Sequence, residues 1–544
     1  MKRNTLFTLL TLTAAIGATI CAVTASAAES SSSADAQSAQ KNSSSADAQS
    51  ARESSSSADA QSARKSSSSA DAQSARERSS SADVQSARKS SSPADTQSAR
   101  ERSSSADAQS AQKSSSSTEE SAALTGTQII VIEGHDWGPA VTKTILTLDT
   151  AVSPDSVSAE SFRVTERKEA FNWAALGDAS LDPTQHITAE APRTVTAAYA
   201  CDANGNPVSG ASANIALELS FGPDSGSPYC YDVFTGMNAI CNPYELTVTL
   251  ADGGTLKTRD GAVVTALSVN AAADMTSALI PQLADVDLSG SFTGTDGKTL
   301  TYGSYAPADD GEKHPLVIWL HGAGEGGTDP SIPLLGNKVT ALYGEEFQTI
   351  MGGAYVLTPQ TPYFWLAYNE EGSWTDNPGT DSIFLPTLKE LIDSYIEANP
   401  NIDTNRIYVG GCSNGGFMTM DLVLNYPDFF AAAYPICEAY MDAGITDEQL
   451  ESIKKLPIWF VYAKNDDTVI PDIYEAPTIA RLQEIGADVH TSIFEDVHDT
   501  TGLYAMEDGS PYQYMGHWSW LYFFNNQCEE NGISLWQWLS EQHR

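Results

Sequence analysis

Past Leu124 the apolar residues of this chain change their period once, and that change limits the folds open to it. Up to about Ala284 they recur at every second position, in stretches such as "QIIVIE", "TKTILTLDT", "RTVTAAYA", "ANIALELSFG", "YELTVTLADG" and "VVTALSVNA", separated by Gly, Pro, Asp and Asn. Alternation puts one side of each strand inward, so residues 124–284 are expected to form an all-β sandwich. After about Asp285 the strands become nearly continuous apolar runs: "HPLVIWLHG", "AYVLTPQ", "RIYVGG", "FAAAYPI", "PIWFVYA" and "VHTSIFEDV". Between them lie the helical "SIFLPTLKELIDSYIEANP", "FMTMDLVLNYP" and "APTIARLQEIG". Strands that are apolar on both faces and alternate with helices predict an α/β domain over 285–544, with a mostly parallel sheet covered on both sides. Such a sheet carries its sites at the carboxyl ends of its strands.

The segments upstream read differently. Lys2 and Arg3, the apolar run from Leu6 to Val23 and the small Ala25-Ser26-Ala27 predict a signal peptide over residues 1–27, cleaved near Ala27, and hence a secreted protein. Ile20 stands before Cys21 where lipoprotein processing takes a small residue, so no lipid anchor is expected there. No other apolar run is long enough to span a bilayer. Residues 28–120 repeat a unit resembling "SSSSADAQSARK", with aspartates from Asp35 to Asp107 spaced twelve apart. That segment holds one valine and no aromatic residue, too little to offset the entropy of ordering it, so it is expected to be a low-complexity tether. Its charges nearly cancel, which leaves the formal charge of −40 in the remainder and excludes nucleic acid as a natural partner. Cys201, Cys230, Cys241, Cys412, Cys437 and Cys528 remain after the leader. With no C-x-x-C metal spacing, an exported protein is expected to bridge them, Cys230 to Cys241 first and Cys412 to Cys437 second. "DANGNP" (202–207) begins like a calcium loop, but Pro207 replaces its glycine and Ala213 its glutamate; a hairpin turn is expected.

The chemistry gathers at the strand ends. Where "RIYVG" gives way to a helix, Gly411-Cys412-Ser413-Asn414-Gly415 spells the G-x-S-x-G nucleophile elbow, in which flanking glycines let strand and helix approach while the serine sits exposed in a strained turn. The plain alternative is a helix-capping serine. The strand "LVIWL" ends in His321-Gly322-Ala323-Gly324-Glu325-Gly326-Gly327, whose Gly322, Gly324 and Gly327 match a dinucleotide fingerprint. Thr328-Asp329-Pro330 follows in place of a helix, so no cofactor is expected. An oxyanion loop is the better reading, with Ala323 or Gly324 and the N–H of Asn414 as donors. A serine nucleophile also needs a base and an acid. "PIWFVYA" runs into Asp466 and Asp467, and His498 and His517 follow the last strand. Asp466 leaves the strand first and His517 follows a loop long enough to reach over the sheet, so these are preferred, with Asp467 capping the turn. Tyr363, Phe364, Trp365 and Trp374 are candidates for an acyl or aryl pocket.

Together "GGCSNGGFM", "LHGAGEGGTD", "YAKNDDTVIP" and "YQYMGHWSWLYFFNN" resemble the secreted bacterial carboxylesterases that carry an immunoglobulin-like domain before an α/β-hydrolase domain, related to polyhydroxybutyrate-depolymerase-like, feruloyl and prolyl-oligopeptidase-type hydrolases. The resemblance covers about Leu124 to Arg544 and implies a Ser413–His517–Asp466 triad. It also implies a small-molecule or polymer-linked ester substrate and no metal. Tyr462-Ala463 departs from the His-Gly that many relatives carry before the acid. A prolyl-oligopeptidase-type peptidase and a non-catalytic surface binding protein on the same scaffold are the rival readings. The sandwich is too short for a peptide-filtering propeller, and no triad member is missing.

Overall fold

Strands β1 (Ser121–His135) and β2 (Gly138–Val152) form a long hairpin that turns at Asp136 and Trp137. The computed structural model describes residues 120–177, 180–182, 184–270, 277–369 and 379–544. The expected leader with Cys21, the repeats as far as residue 119, and Trp374 lie outside the described residues. From β2 the sheet continues to β6 (Ser212–Leu219) and β5 (Val195–Cys201), while β10 (Val263–Val269) lies parallel to β1 on the other edge. A second sheet is ordered β4 (Ile187–Arg193), β3 (Phe162–Ala170), β9 (Tyr244–Leu250). In β9, Tyr244, Leu246 and Val248 are buried whereas Thr247 and Thr249 are exposed, the pattern that period two dictates. Those residues meet Ile130, Leu146 and Ile215 of the first sheet in one core. A short hairpin, β7 (Tyr229–Asp232) and β8 (Met237–Ile240), stands apart from both sheets.

One ion pair lies inside the sandwich. Arg193 Nη1 donates to Glu166 Oε1 at 2.6 Å, Tyr244 Oη donates to the same oxygen at 2.6 Å, and Arg193 Nη2 donates to the carbonyls of Ser220 (2.7 Å) and Val141 (2.9 Å). The 202–207 segment is the turn between β5 and β6. Asp202 Oδ1 accepts the N–H groups of Asn204 and Asn206, and Gly205 takes φ +84°.

Strands β11 (Asp287–Thr293) and β12 (Thr299–Tyr305) open a separate eight-stranded sheet antiparallel, a feature that the apolar runs do not signal. It continues with β13 (His314–Leu320), β14 (Tyr355–Gln360), β15 (Ile402–Cys412), β16 (Ala432–Ile436), β17 (Ile458–Ala463) and β18 (Val489–Phe494), in the order β11-β12-β14-β13-β15-β16-β17-β18. From β14 to β18 every neighbouring pair is parallel. All residues of β13, β14 and β17 are buried because both faces are covered. Val317 and Trp319 pack on one side with the carboxyl-terminal helices; Leu316, Ile318 and Leu320 pack on the other with the helices Leu385–Ala398 and Asn414–Asn425. No helix among the described residues is long and apolar enough to cross a membrane.

The sandwich is tied to this sheet by polar contacts. Asp136 accepts from Lys338 Nζ (2.6 Å) and Asn525 Nδ2 (2.9 Å), and Tyr512 Oη donates to Asp224 (3.0 Å).

The disulfide expectation is corrected. All six described cysteines are free, buried thiols. Each expected partner has a different neighbour: Cys230 Sγ faces His186 Nδ1 at 3.8 Å while Cys241 Sγ donates to the Glu169 carbonyl at 3.4 Å. Asn337 Nδ2 donates to Cys412 Sγ at 3.4 Å, whereas Cys437 Sγ clusters with Asp466 and His517.

Candidate active site

The elbow is built by close approach. A Cβ on Gly411 would stand 2.3 Å from the Leu320 carbonyl oxygen, one on Gly415 2.0 Å from the same atom, and one on Gly416 2.6 Å from Glu438 Cα. With no room for side chains, β15 turns straight into the helix Asn414–Asn425, and Ser413 takes φ +55°, ψ −114°. A non-glycine residue in that conformation costs roughly 1–3 kcal/mol, which the surrounding packing must supply. Backbone bonds hold it: Ser413 N–H donates to the Ile436 carbonyl (2.9 Å), and the Ser413 carbonyl accepts from Phe417 (2.9 Å) and Ala439 (3.3 Å). Its side chain makes no cap bond, so the plain helix-capping reading does not describe it.

Asp466 leaves β17 buried, with Oδ2 2.7 Å from His517 Nδ1. Its other oxygen accepts from the N–H groups of Thr468 and Val469, each at 2.9 Å. Asp466 therefore caps its own turn, a task expected of Asp467, which is exposed. His517 reaches Asp466 because Gly516 lets the two loops touch: a Cβ there would stand 2.3 Å from the Asn465 carbonyl oxygen. Only the lack of a side chain at Gly516 signals this contact, and pattern reading passes over it. Trp520 meets the imidazole edge-on at 5.5 Å. His498 is bound instead to Asp496 (2.6 Å), beside Tyr522.

Cys437, Asp466 and His517 hold their Sγ, O and N atoms within 4.8 Å of one another. A metal reading is not needed for this cluster, because the Asp466–His517 bond occupies the facing atoms and burial pushes the Cys437 thiol well above its ordinary range, where it is a poor ligand. Cys437 also links the pair to the elbow, since the Ser413 N–H lies against its sulfur.

Ala323 and Gly324 fall on a single 3₁₀ turn, Ala323–Glu325, and Asn414 opens the helix after Ser413. Leu320 pairs with Gly411 in the sheet, so the two loops are neighbours. The first N–H groups of a helical turn have no partner within it and are free to bind an anion. His321 fixes this loop: it is fully buried, hydrogen-bonded through Nδ1 to the Gly322 carbonyl (2.6 Å) and through Nε2 to the Thr361 N–H (3.2 Å). Burial lowers its pKa to about 4, which keeps it neutral and structural. Behind the loop Glu325 is buried, with Asn337 Nδ2 at 3.2 Å and the Gly322 N–H as donors, and burial pushes its carboxyl up to about 7. No helix starts immediately after Gly327, as a dinucleotide fingerprint requires; the next begins at Ser331.

The aromatic candidates separate. Trp365 is fully buried against Phe384 and His321, a packing residue, and its backbone N–H donates to Asn414 Oδ1 at 2.6 Å. Tyr363 and Phe364 are half-buried on the same loop.

Comparison with known proteins accords with this geometry. Residues 128–265 match the family model "Esterase Ig-like N-terminal domain" and residues 306–509 match "Phospholipase/Carboxylesterase". Feruloyl esterase B of Neurospora crassa is 32% identical over 24% of this chain and 40% of its own length. Poly(3-hydroxyalkanoate) depolymerase C of Paucimonas lemoignei is 27% identical over 26% of this chain and 32% of its own. The chain thus spans well under half the length of these two relatives. The solved structure of a thermostable esterase shares the fold, with TM-score 0.58 and 24% identity over 78% of this chain and 100% of that one. The two family matches and the shared fold show, in one chain, a β-sandwich similar to the immunoglobulin-like domain of esterases followed by an α/β-hydrolase sheet similar to that of phospholipases and carboxylesterases.

Proposed function

We propose that this chain is an exported serine carboxylesterase acting through Ser413, His517 and Asp466. The observation that carries the reading is the buried 2.7 Å Asp466–His517 bond lying against the strained turn that presents Ser413. With Nδ1 held by the carboxylate, His517 is left Nε2 as its base. It takes the proton from Ser413 Oγ as that oxygen attacks the ester carbonyl, and the negative oxygen is held by N–H groups of Asn414 and of Ala323 or Gly324. The imidazolium, stabilised by Asp466, returns the proton to the departing alcohol. Water, deprotonated by the same nitrogen, then attacks the acyl-enzyme and releases the acid and the serine. Each step uses the chain's own groups.

The names of the relatives point to esters of plant-wall or polymer origin, namely feruloyl, poly(3-hydroxyalkanoate) and acetylxylan esters. Export rests on the basic, apolar and small-residue pattern of residues 1–27. Hydrolysis of short aryl esters and labelling by a fluorophosphonate test the site. Ser413→Ala is expected to abolish labelling and lower turnover by about 10⁶-fold while the protein stays folded. Turnover near the wild-type rate in that variant sinks the reading.

A further inference from the structure

The β7–β8 hairpin is part of the sandwich by sequence, yet it lies on two loops of the hydrolase domain. At its turn Gly236 faces Phe364, whose Cζ is 3.3 Å from where a Gly236 Cβ would be. In β8, Asn238 covers the oxyanion turn, with Nδ2 2.9 Å from where a Gly324 Cβ would be. Gly324 has no positive φ, so its backbone does not call for glycine; the Asn238 amide occupies the space a side chain would take. Asn238 is half-buried and pairs through its backbone with Tyr231, while its side-chain amide makes no hydrogen bond among the described residues. A half-buried amide without an internal partner is costly unless water or a ligand satisfies it from the open side.

We infer that Asn238 is a substrate-binding residue contributed by the sandwich, whose amide hydrogen-bonds an oxygen substituent on the acyl chain of the ester. This rests on the serine-esterase reading above. Gly324 lies on the turn whose N–H groups, of Ala323 or of Gly324 itself, hold the carbonyl oxygen in that reading, so a side chain beside it reaches atoms close to that carbonyl. The acyl chain stays in the cleft through both half-reactions whereas the alcohol leaves after the first, so a contact to the acyl part acts on acylation and deacylation alike. An amide both donates and accepts, which suits a hydroxyl.

The test compares kcat/KM for an aryl butyrate and its β-hydroxy counterpart in the full chain, Asn238→Ala and Asn238→Leu. The wild type is expected to favour the hydroxylated ester, and the ratio to fall about five- to tenfold in both variants, the range set by one hydrogen bond. Leucine keeps the bulk of the side chain, so a folding defect confined to the alanine variant does not obscure the result. A ratio unmoved in the leucine variant, or both esters weakened equally, overturns the role of Asn238. Fluorophosphonate labelling in the same samples separates the two readings: labelling with an unmoved ratio removes Asn238 alone, and no labelling of the wild type removes the esterase reading beneath it.

Discussion

Glu166 in the sandwich and Glu325 in the hydrolase domain are both buried, but their surroundings differ. Glu166 sits against Arg193 and Tyr244 with Lys168 Nζ 3.8 Å away, and Arg193 Nε and Nη2 donate to backbone carbonyls. Glu325 has only neutral amide donors, Asn337 Nδ2 and the Gly322 N–H, and no ion pair among the described residues. Glu438 and Glu475, behind the Asp466 turn, go further: burial pushes both carboxyls well above their ordinary range, and Glu438 Oε1 and both Glu475 oxygens have no hydrogen-bond partner among the described residues. The scaffold carboxylate is closed by its own partners, whereas the ground around the site keeps carboxyl groups whose charge depends on conditions.

The largest effect that separates the two regions lies at Asp466, a hydrolase carboxylate with both oxygens hydrogen-bonded. Asp466→Asn is expected to lower turnover by about 10⁴-fold without unfolding the protein, because the amide fixes the wrong imidazole tautomer and no longer stabilises the imidazolium. Asp467→Asn, at an exposed position, is expected to leave turnover within about twofold, since such surface changes shift energies by only a few tenths of a kcal/mol. A collapse confined to Asp467→Asn would move the triad acid.

In the sandwich the corresponding change acts on stability. Arg193→Met leaves Glu166 buried with only Lys168, 3.8 Å away, as a cation and is expected to cost up to about 3–5 kcal/mol, read as a lower denaturant midpoint. Adding Glu166→Leu should restore most of the loss, because the penalty belongs to the unpaired charge. If the double variant is as unstable as the single one, the pair does more than neutralise itself.

Glu325 sharpens the contrast through pH. Its folded pKa of about 7 lies above the ordinary value of 4.5, so its contribution to stability is full below about pH 4.5 and is lost as pH rises through 7. Glu325→Gln, which keeps shape and remains neutral, should remove that fall and stabilise the protein above pH 7 by at most about 3 kcal/mol. Melting temperatures of both proteins from pH 4 to 9 provide the check, and parallel curves would mean the carboxyl is not held neutral.

The same contrast explains what could be read from the sequence. Alternation exposed β1, β2, β6 and β9; in β9 its cause is that Thr247 and Thr249 meet solvent, whereas β2 and β6 also bury Ile145 and Ala216 on their second face. Continuous apolar runs exposed β13 to β17. The short helices Ser331–Gly336 and Glu345–Met351 went unseen, since six or seven residues hold too few turns to show a period. Around the site, Ser413, Asp466 and His517 stand in patterns of fixed chain order. Gly516 and Asn238 act through a close approach between segments far apart in sequence, which no local pattern encodes. The cysteine pairings failed for a related reason: nearness in sequence or on adjacent strands does not say which neighbour a thiol faces.

The smallest expected signal comes from those thiols. Cys412 and Cys437 are both fully buried, and burial pushes both well above the ordinary thiol range, so almost none of either is present as thiolate, the form that attacks disulfides and alkylating reagents. An oxidant therefore acts on them only while the chain is unfolded. In the folded protein, alkylation at neutral pH without reductant should modify neither; after unfolding, still without reductant, peptide mapping should find both alkylated. A peptide linking Cys412 to Cys437 would show that Cys412 leaves Asn337 and Cys437 leaves the Asp466–His517 cluster, and the elbow would then be anchored covalently where these hydrogen bonds hold it now.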